Sequence, residues 1–216
     1  MIELILKGGL SYLVGSLVGS LVIGGFRGVD IRALGSGNAG ATNALRTQGR
    51  AVALGVLAID VAKGWIATGL LAPAVLPGTA AAPKLHAWSV PVCGLAVILG
   101  HVYPVWYGFR GGKGVATFVG SVLGVSAGLV GVMAVAWLAT VILFGFVGLA
   151  SMVGAGAVAA AIAAGHLSPR VPLVTFGILA ALLILFTHRP NIARMRAGTE
   201  SRARRLWLLG FFRGQA

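Results

Sequence analysis

Acidic side chains are almost missing from this sequence: Glu3, Asp30, Asp60 and Glu200 stand against 17 lysines and arginines in 216 residues, a net charge of +13. So few carboxylates, with four histidines spread along the chain, leave no cluster to hold a metal, and no metal or cofactor is expected. Cysteine is down to one, Cys93. That excludes an intrachain disulfide and makes a zinc cluster untenable, so Cys93 reads as core packing. Charged residues make up only 10% of the chain, against roughly 25% in soluble domains. The first residues also lack a basic cluster, and Arg27 and Arg32 follow the first apolar run instead of preceding it. The expectation is a first membrane helix with its N-terminus outside, and no cleavable signal peptide.

What is present is oil. Hydrophobic residues make up 58% of the chain and the mean hydropathy is +0.96, so the chain reads as an all-α integral membrane protein forming one polytopic domain over 1–216. Apolar runs cover about 4–26, 51–76, 86–107, 115–165 and 171–187. A bilayer crossing takes about 20 residues, so the fourth run is too long for one. Basic residues choose the sides. Thirteen of the 17 fall in three places: Arg27, Arg32, Arg46 and Arg50; Arg110 and Lys113; and the tail from Arg189 to Arg213. The positive-inside rule puts all three in the cytoplasm. Parity then requires an odd number of crossings within 115–165. Three crossings of about 15–17 residues, short for the purpose, give seven transmembrane helices with the C-terminus cytoplasmic. The turn between the fifth and sixth would fall near 148–152. Many of the 34 glycines, notably Gly15/Gly19 and Gly120/Gly124/Gly128, recur at the four-residue spacing that lets membrane helices approach closely. The tail beyond about 200 mixes arginine with Leu206, Trp207 and Phe211, the makings of a surface-lying amphipathic helix or of a frayed basic end.

The polar residues are concentrated in three short stretches: Gly35-Ser36-Gly37-Asn38-Ala39-Gly40-Ala41-Thr42-Asn43; His101 to Pro104 running on to Gly111-Gly112-Lys113-Gly114; and His188-Arg189-Pro190-Asn191-Ile192 with Gly198-Thr199-Glu200. Each joins glycines, amides or hydroxyls to a cation, the equipment for gripping phosphate oxygens. Gly35 to Gly40 does match the dinucleotide fingerprint, but that pattern has meaning only between a strand and a helix of a parallel sheet, and here a membrane span follows. Gly111 to Gly114 likewise fails the phosphate-loop spacing. Basic residues confined to loops between spans point to headgroups and phosphates, not to nucleic acid.

Taken together, the three stretches resemble the bacterial acyl-phosphate:glycerol-3-phosphate acyltransferases (PlsY). The resemblance rests on Gly35 to Asn43 with Arg46 and Gly49, on Gly100-His101 through Gly108-Phe109-Arg110-Gly111-Gly112-Lys113-Gly114 to Thr117, and on His188 to Ile192 with Gly198-Thr199-Glu200. It implies seven helices with the motifs gathered at the cytoplasmic face of the bacterial inner membrane. It also implies transfer of a fatty acyl group from acyl phosphate to the 1-hydroxyl of glycerol-3-phosphate, giving lysophosphatidic acid and phosphate in phospholipid synthesis. Related enzymes using acyl-CoA or acyl carrier protein carry a His-x-x-x-x-Asp pair, which is missing here. Substrates and membrane lipids are the partners expected, with no obligatory protein partner.

On this reading Arg46 and Lys113 hold the phosphate of glycerol-3-phosphate, the one bidentately and the other as a point charge. Ser36, Asn38, Thr42 and Asn43 offer hydroxyl and amide hydrogen bonds, or else merely cap and turn the chain. Gly37, Gly40, Gly111 and Gly112 permit close backbone approach. His101 and His188 orient phosphate or accept a proton, Asn191 donates its amide to substrate, and Glu200 locks nearby cations. Ser151 reaches the site from the 148–152 turn, where the family often has another serine and this chain has Gly148. Asp60 and Lys63, three apart on one helix, should pair and either anchor the loops or shape the site. Phosphate is a good leaving group, so direct attack by the glycerol hydroxyl is expected, without an acyl-enzyme. The competing class is a transporter of phosphate or a phosphorylated metabolite, which the intramembrane pair would suit.

Overall fold

A computed structural model describes residues 1–79, 82–203 and 206–207. Helices form wherever a run of apolar and small residues can satisfy its own backbone, the condition that a hydrocarbon solvent imposes; no strand occurs among the described residues. The first apolar run is not one helix but two, α1 (Ile2–Gly15) and α2 (Gly19–Phe26), bent by 47°. A loop with a 3₁₀ turn leads to α3 (Ala41–Thr47) and α4 (Arg50–Trp65), which continues as a π-helical segment, Ile66–Leu71. Short α5 (Pro83–His86) precedes α6 (Ser89–Val102).

The long fourth run holds three helices of unequal length: α7 (Val115–Val125), α8 (Ala127–Phe144) and α9 (Val147–Ala164). The joints lie at Ser126 and at Gly145–Phe146, earlier than the expected 148–152. Gly145 sets the second joint, because φ +77° ends α8 in a left-handed conformation that glycine adopts without cost. Then come α10 (Arg170–Thr187) and α11 (Arg189–Arg196).

Among the described residues, five helices are long and apolar enough to cross a bilayer, and the bent α1–α2 pair makes a sixth if counted as one. Helix α7 has 11 residues, about 16 Å at the usual rise, roughly half the hydrocarbon thickness.

Glycine brings these helices to backbone contact. A Cβ on Gly120 of α7 would lie 1.9 Å from the Val61 carbonyl of α4, and one on Gly100 of α6 would lie 2.2 Å from the Tyr12 carbonyl of α1. Gly15, Gly19 and Gly124 face neighbouring backbones in the same way, whereas Gly128 meets only Ser126. The larger core joins α6, α7, α9 and α10 around Val97, Ile98, Phe118, Phe176 and Ile184; a smaller one, with Val18, Ile31, Ala44 and Val56, lies under the 27–49 loop. All three polar stretches end up at one end of the bundle.

Candidate active site

Each polar stretch is held in place before it can hold anything else. In the first, buried Asn43 accepts from the Ser36 amide (3.0 Å) and donates to the carbonyls of Ile31 (3.2 Å) and Leu34 (2.9 Å). Its amide is spent on shaping the loop, which makes Asn43 a positioning residue where the sequence suggested a substrate ligand. Arg32 ties this loop to the second stretch, donating to the carbonyls of Tyr107 (2.9 Å) and Arg110 (3.1 Å). It also grips Asp30, whose carboxyl it holds below the ordinary range.

The second stretch is a tight turn laid over the end of α6. The Gly111 and Gly112 amides donate to the carbonyls of Val102 and His101 (both 3.1 Å). Any side chain at Gly111 would strike the His101 carbonyl, 1.9 Å from an ideal Cβ. Lys113 leaves this turn toward the third stretch, where its ammonium donates to the Asn191 side-chain oxygen. The Asn191 amide donates in turn to Glu200 (2.7 Å), which also accepts from Arg194 (2.6 Å). Lysine is donor-only, so the orientation of the Asn191 amide follows from its neighbours. Burial, and then the nearby Arg194, push Lys113 down to about 8.

His188 ends α10 with its Nδ1 2.8 Å from the Ile184 carbonyl. A carbonyl only accepts, so Nδ1 carries the hydrogen and Nε2 keeps its lone pair. Burial pushes this ring down to about 4, so it is neutral at physiological pH.

Two cavities result. The larger, about 430 Å³, is lined by Ser36, Asn38, Gly40, Thr42, Asn43, Arg46, His101, Lys113, Ser151, His188, Asn191 and Glu200. Leu57, Val119 and Trp137 line it too, so the cavity has both polar and apolar walls. The smaller, about 260 Å³, adds Gly37, Gly111 and Gly112. Every residue named in the sequence as a substrate ligand therefore borders one cavity or the other, and Lys113 borders both, whereas Lys63 borders neither.

The geometry meets known proteins at this point. Residues 5–198 match the family model described as glycerol-3-phosphate acyltransferase. The glycerol-3-phosphate acyltransferase of Laribacter hongkongensis is 42% identical over 194 residues, covering 89% of this chain and 92% of that protein. That of Geobacter metallireducens is 43% identical over 202 residues, covering 94% and 98%. A crystal structure of PlsY, an integral membrane glycerol 3-phosphate acyltransferase, in its glycerol 3-phosphate form superposes with a TM-score of 0.81 at 34% identity, covering 92% of this chain and 94% of that one. The lysophosphatidic acid form gives 0.80.

The chain belongs to the glycerol-3-phosphate acyltransferase family. With a solved integral membrane relative over nearly its whole length and at least five bilayer-length helices, it is a multi-pass membrane protein.

Some placements within this acyltransferase fold differ from expectation. Ser151 lies inside α9 and not in a turn, with its hydroxyl donating to Val147 (2.9 Å), although it does line the cavity. Gly148 makes room: a Cβ there would lie 2.9–3.1 Å from Asn191 atoms. The Asn191 amide is already taken by Glu200, leaving Lys113 the freer donor. The Asp60–Lys63 pair forms as expected, at 3.0 Å, but what it anchors is the break inside the first apolar run and not the polar loops. Lys63 donates to the carbonyls of Gly15 (2.8 Å) and Leu17 (3.1 Å), and Asp60 accepts from the Gly19 amide (3.1 Å). Those are the backbone groups exposed by the α1–α2 break. Asp60 also lines the larger cavity.

Arg194 was missed in the sequence although it lies three residues after Asn191, on the same helical face. Leu57 and Trp137 gave no signal at all, being apolar residues among apolar residues. Among the described residues no group of three or more histidine, cysteine, aspartate or glutamate side chains comes together to hold a metal. The start of the tail packs over the α8–α9 turn. The Arg202 guanidinium sits over the rings of Phe146 (4.6 Å) and Trp207 (3.9 Å), and the Ala203 amide donates to Gly145 (2.8 Å). An amphipathic helix beyond 207 lies outside the described residues.

Proposed function

We propose that this protein is a glycerol-3-phosphate acyltransferase that takes its acyl group from acyl phosphate and works at the cytoplasmic face of the inner membrane. The observation that carries this is a single cavity lined by cations, hydroxyls and amides together with the apolar Leu57, Val119 and Trp137. It suits a substrate pair with phosphates on one side and a fatty chain on the other. The acyl-phosphate donor is supported by the likeness to PlsY and by the absence of a His-x-x-x-x-Asp pair.

Seven crossings with the N-terminus outside follow if α7 counts as a short one. The α2–α4, α6–α7, α8–α9 and α10–α11 connections then share one side, which carries most of the arginines.

In the reaction the 1-hydroxyl oxygen of glycerol-3-phosphate bonds to the acyl carbon, the carbon–oxygen bond to phosphate breaks, and phosphate leaves. Arg46 and Lys113 hold phosphoryl oxygens, and Lys113 with the neighbouring amides steadies the developing charge. Holding both reactants in one cavity supplies much of the rate. The hydroxyl proton needs an acceptor. His188, at about 4, is a weak base, whereas a phosphate monoester has its second pKa near ~6, closer to the working pH and better suited. The substrate phosphate is therefore the acceptor, and His188 Nε2 takes a hydrogen bond from the hydroxyl and aims it.

The test is direct. Purified protein given acyl phosphate and glycerol-3-phosphate should release phosphate and form lysophosphatidic acid. Lys113→Ala and Arg46→Ala should each lose ~100-fold or more in kcat/KM, the worth of about 3 kcal/mol, at unchanged Tm. Undiminished activity in both variants would overturn the site; absence of product from the intact protein would overturn the function.

A further inference from the structure

The larger cavity contains one buried histidine whose ring is fixed from behind by an ion pair, and the consequence concerns its chemistry. His101 is 2% exposed. Its Nδ1 lies 2.9 Å from the Lys63 ammonium and 3.3 Å from Asp60 Oδ1. An ammonium has hydrogens and no lone pair. A hydrogen on Nδ1 would face those of Lys63 across 2.9 Å, and the Asp60 oxygen that could accept it lies farther off, at 3.3 Å, so we assign Nδ1 as the acceptor and the ring hydrogen to Nε2. Lys63 cannot turn away, because Nδ1, the carbonyls of Gly15 and Leu17 and the Asp60 carboxylate surround it and share its three hydrogens.

The other ring nitrogen points at the meeting place of the first two polar stretches. An ideal Cβ on Gly112 would lie 2.2 Å from His101 Nε2 and 2.9 Å from the Ala39 carbonyl. Only glycine fits there. His101 lines the larger cavity, Gly112 the smaller, and no described residue accepts a hydrogen bond from Nε2. An N–H held in place at the cavity wall with no protein acceptor is free to donate to a ligand in the cavity.

Building on the acyltransferase reading, we propose that the Lys63–Asp60 pair locks His101 as an Nε2–H donor to a substrate phosphoryl oxygen, making His101 a phosphate ligand and not a proton acceptor. Lys63 and Asp60 are then positioning residues acting through that ring. The intramembrane charges are kept because they dictate a tautomer.

Two substitutions separate the alternatives. Glutamine places an amide N–H close to where Nε2 sits, whereas asparagine reproduces only the Nδ1 end that meets Lys63. His101→Gln should keep kcat/KM within about tenfold of the parent, while His101→Asn should lose ~100-fold, mostly as a raised KM, the range for a hydrogen bond to a charged group. The reverse order, or equal and complete loss in both, would overturn the proposal, since these mark a purely structural partner of Lys63 or a proton acceptor. The intact protein supplies a second readout that needs no turnover. With ¹⁵N-labelled histidine, the His101 resonances, assigned by their loss in His101→Gln, should show a protonated Nε2 and a bare Nδ1. The Nε2 signal should move on addition of inorganic phosphate or glycerol-3-phosphate, and Lys63→Met should erase the single-tautomer pattern. A protonated Nδ1, or signals indifferent to saturating phosphate, would sink the idea even if the enzyme assay succeeds.

Discussion

Among the described residues two buried acid–lysine pairs each have a histidine beside them, buried at the site and part-exposed away from it, and they do different work with the same parts. Away from the site, Lys7 pairs with Glu3 (2.7 Å) and donates to the Ala72 carbonyl (2.8 Å) and the Ser89 hydroxyl (3.3 Å). At the site, Lys63 pairs with Asp60 and donates to Gly15 and Leu17. Both lysines close a helix break, Lys7 at the end of the π-helical segment and Lys63 at the α1–α2 bend. A charge inside a membrane protein is expensive, and covering orphaned carbonyls repays part of that expense in each case. The difference lies in the histidine. His86 approaches the carboxylate of its trio at 3.5 Å, whereas His101 lies against both carboxylate (3.3 Å) and ammonium (2.9 Å) and borders the cavity. A buried ion pair thus reports a broken helix, and its third partner reports whether chemistry is attached.

The sharpest way to break that comparison is to remove each ammonium in turn. Removing one partner of a buried ion pair costs about 3–5 kcal/mol, so Lys7→Met and Lys63→Met should both lower the Tm markedly. Measured per folded molecule, however, Lys63→Met should lose ~100-fold in kcat/KM, because the His101 donor is no longer oriented. Lys7→Met should stay within about threefold of the parent, a surplus of less than one hydrogen bond. Equal kinetic damage from the two would show that both trios are merely structural.

The same contrast explains what could be read in the sequence. Arg46, Lys113, His188 and Asn191 were legible because a cation or amide in an oily chain has few reasons to be there. The pairing of Asp60 with Lys63 was legible from helical spacing. Its link to His101, 38 positions away from Lys63, was not, since only the packing of α4 on α1 and α6 brings them together. Helix ends suffered for a related reason. In lipid both faces of a helix are apolar, so the run from Val115 to Gly165 carries no periodicity to mark Ser126 or Gly145. The bend at Ser16–Val18 is likewise paid for by a residue on another helix. Trp137 and Leu57 became visible only as walls.

A smaller effect separates the two ends by pH. Burial and the neighbouring guanidiniums hold Lys113 down to about 8. The charged form binds phosphate, so kcat/KM should be full between the substrate phosphate's own pKa of ~6 and that value, and fall about tenfold per pH unit above it, as the free enzyme loses the proton. Arginine does not deprotonate in this range, so Lys113→Arg should abolish the alkaline limb while lowering the plateau. Lys7→Met should leave the inflection where it is. A limb that persists in Lys113→Arg would assign it to some other group.

The smallest effects should come from single methyl groups at the two ends. A Cβ on Gly124 would meet Thr68 Oγ1 at 2.2 Å and the Gly69 amide at 2.7 Å, far from the cavity, on the α7 face packed against the π-helical segment. One on Gly148 would meet Asn191 Nδ2 at 2.9 Å, inside the cavity wall. Backbone cannot yield, so Gly124→Ala must spread two helices and should cost ~1–3 kcal/mol of stability, the usual range for overpacking, with kcat unchanged in the folded fraction. A side-chain amide can yield by a few tenths of an ångström. Gly148→Ala should therefore leave the Tm nearly untouched while tilting Asn191 away from Lys113, for a loss of about tenfold in kcat/KM, or one neutral hydrogen bond. Thermal melts and initial rates on the two alanine variants read this out side by side. If Gly148→Ala lowers the Tm and spares the rate, Asn191 is a packing residue and Lys113 reaches its substrate without it.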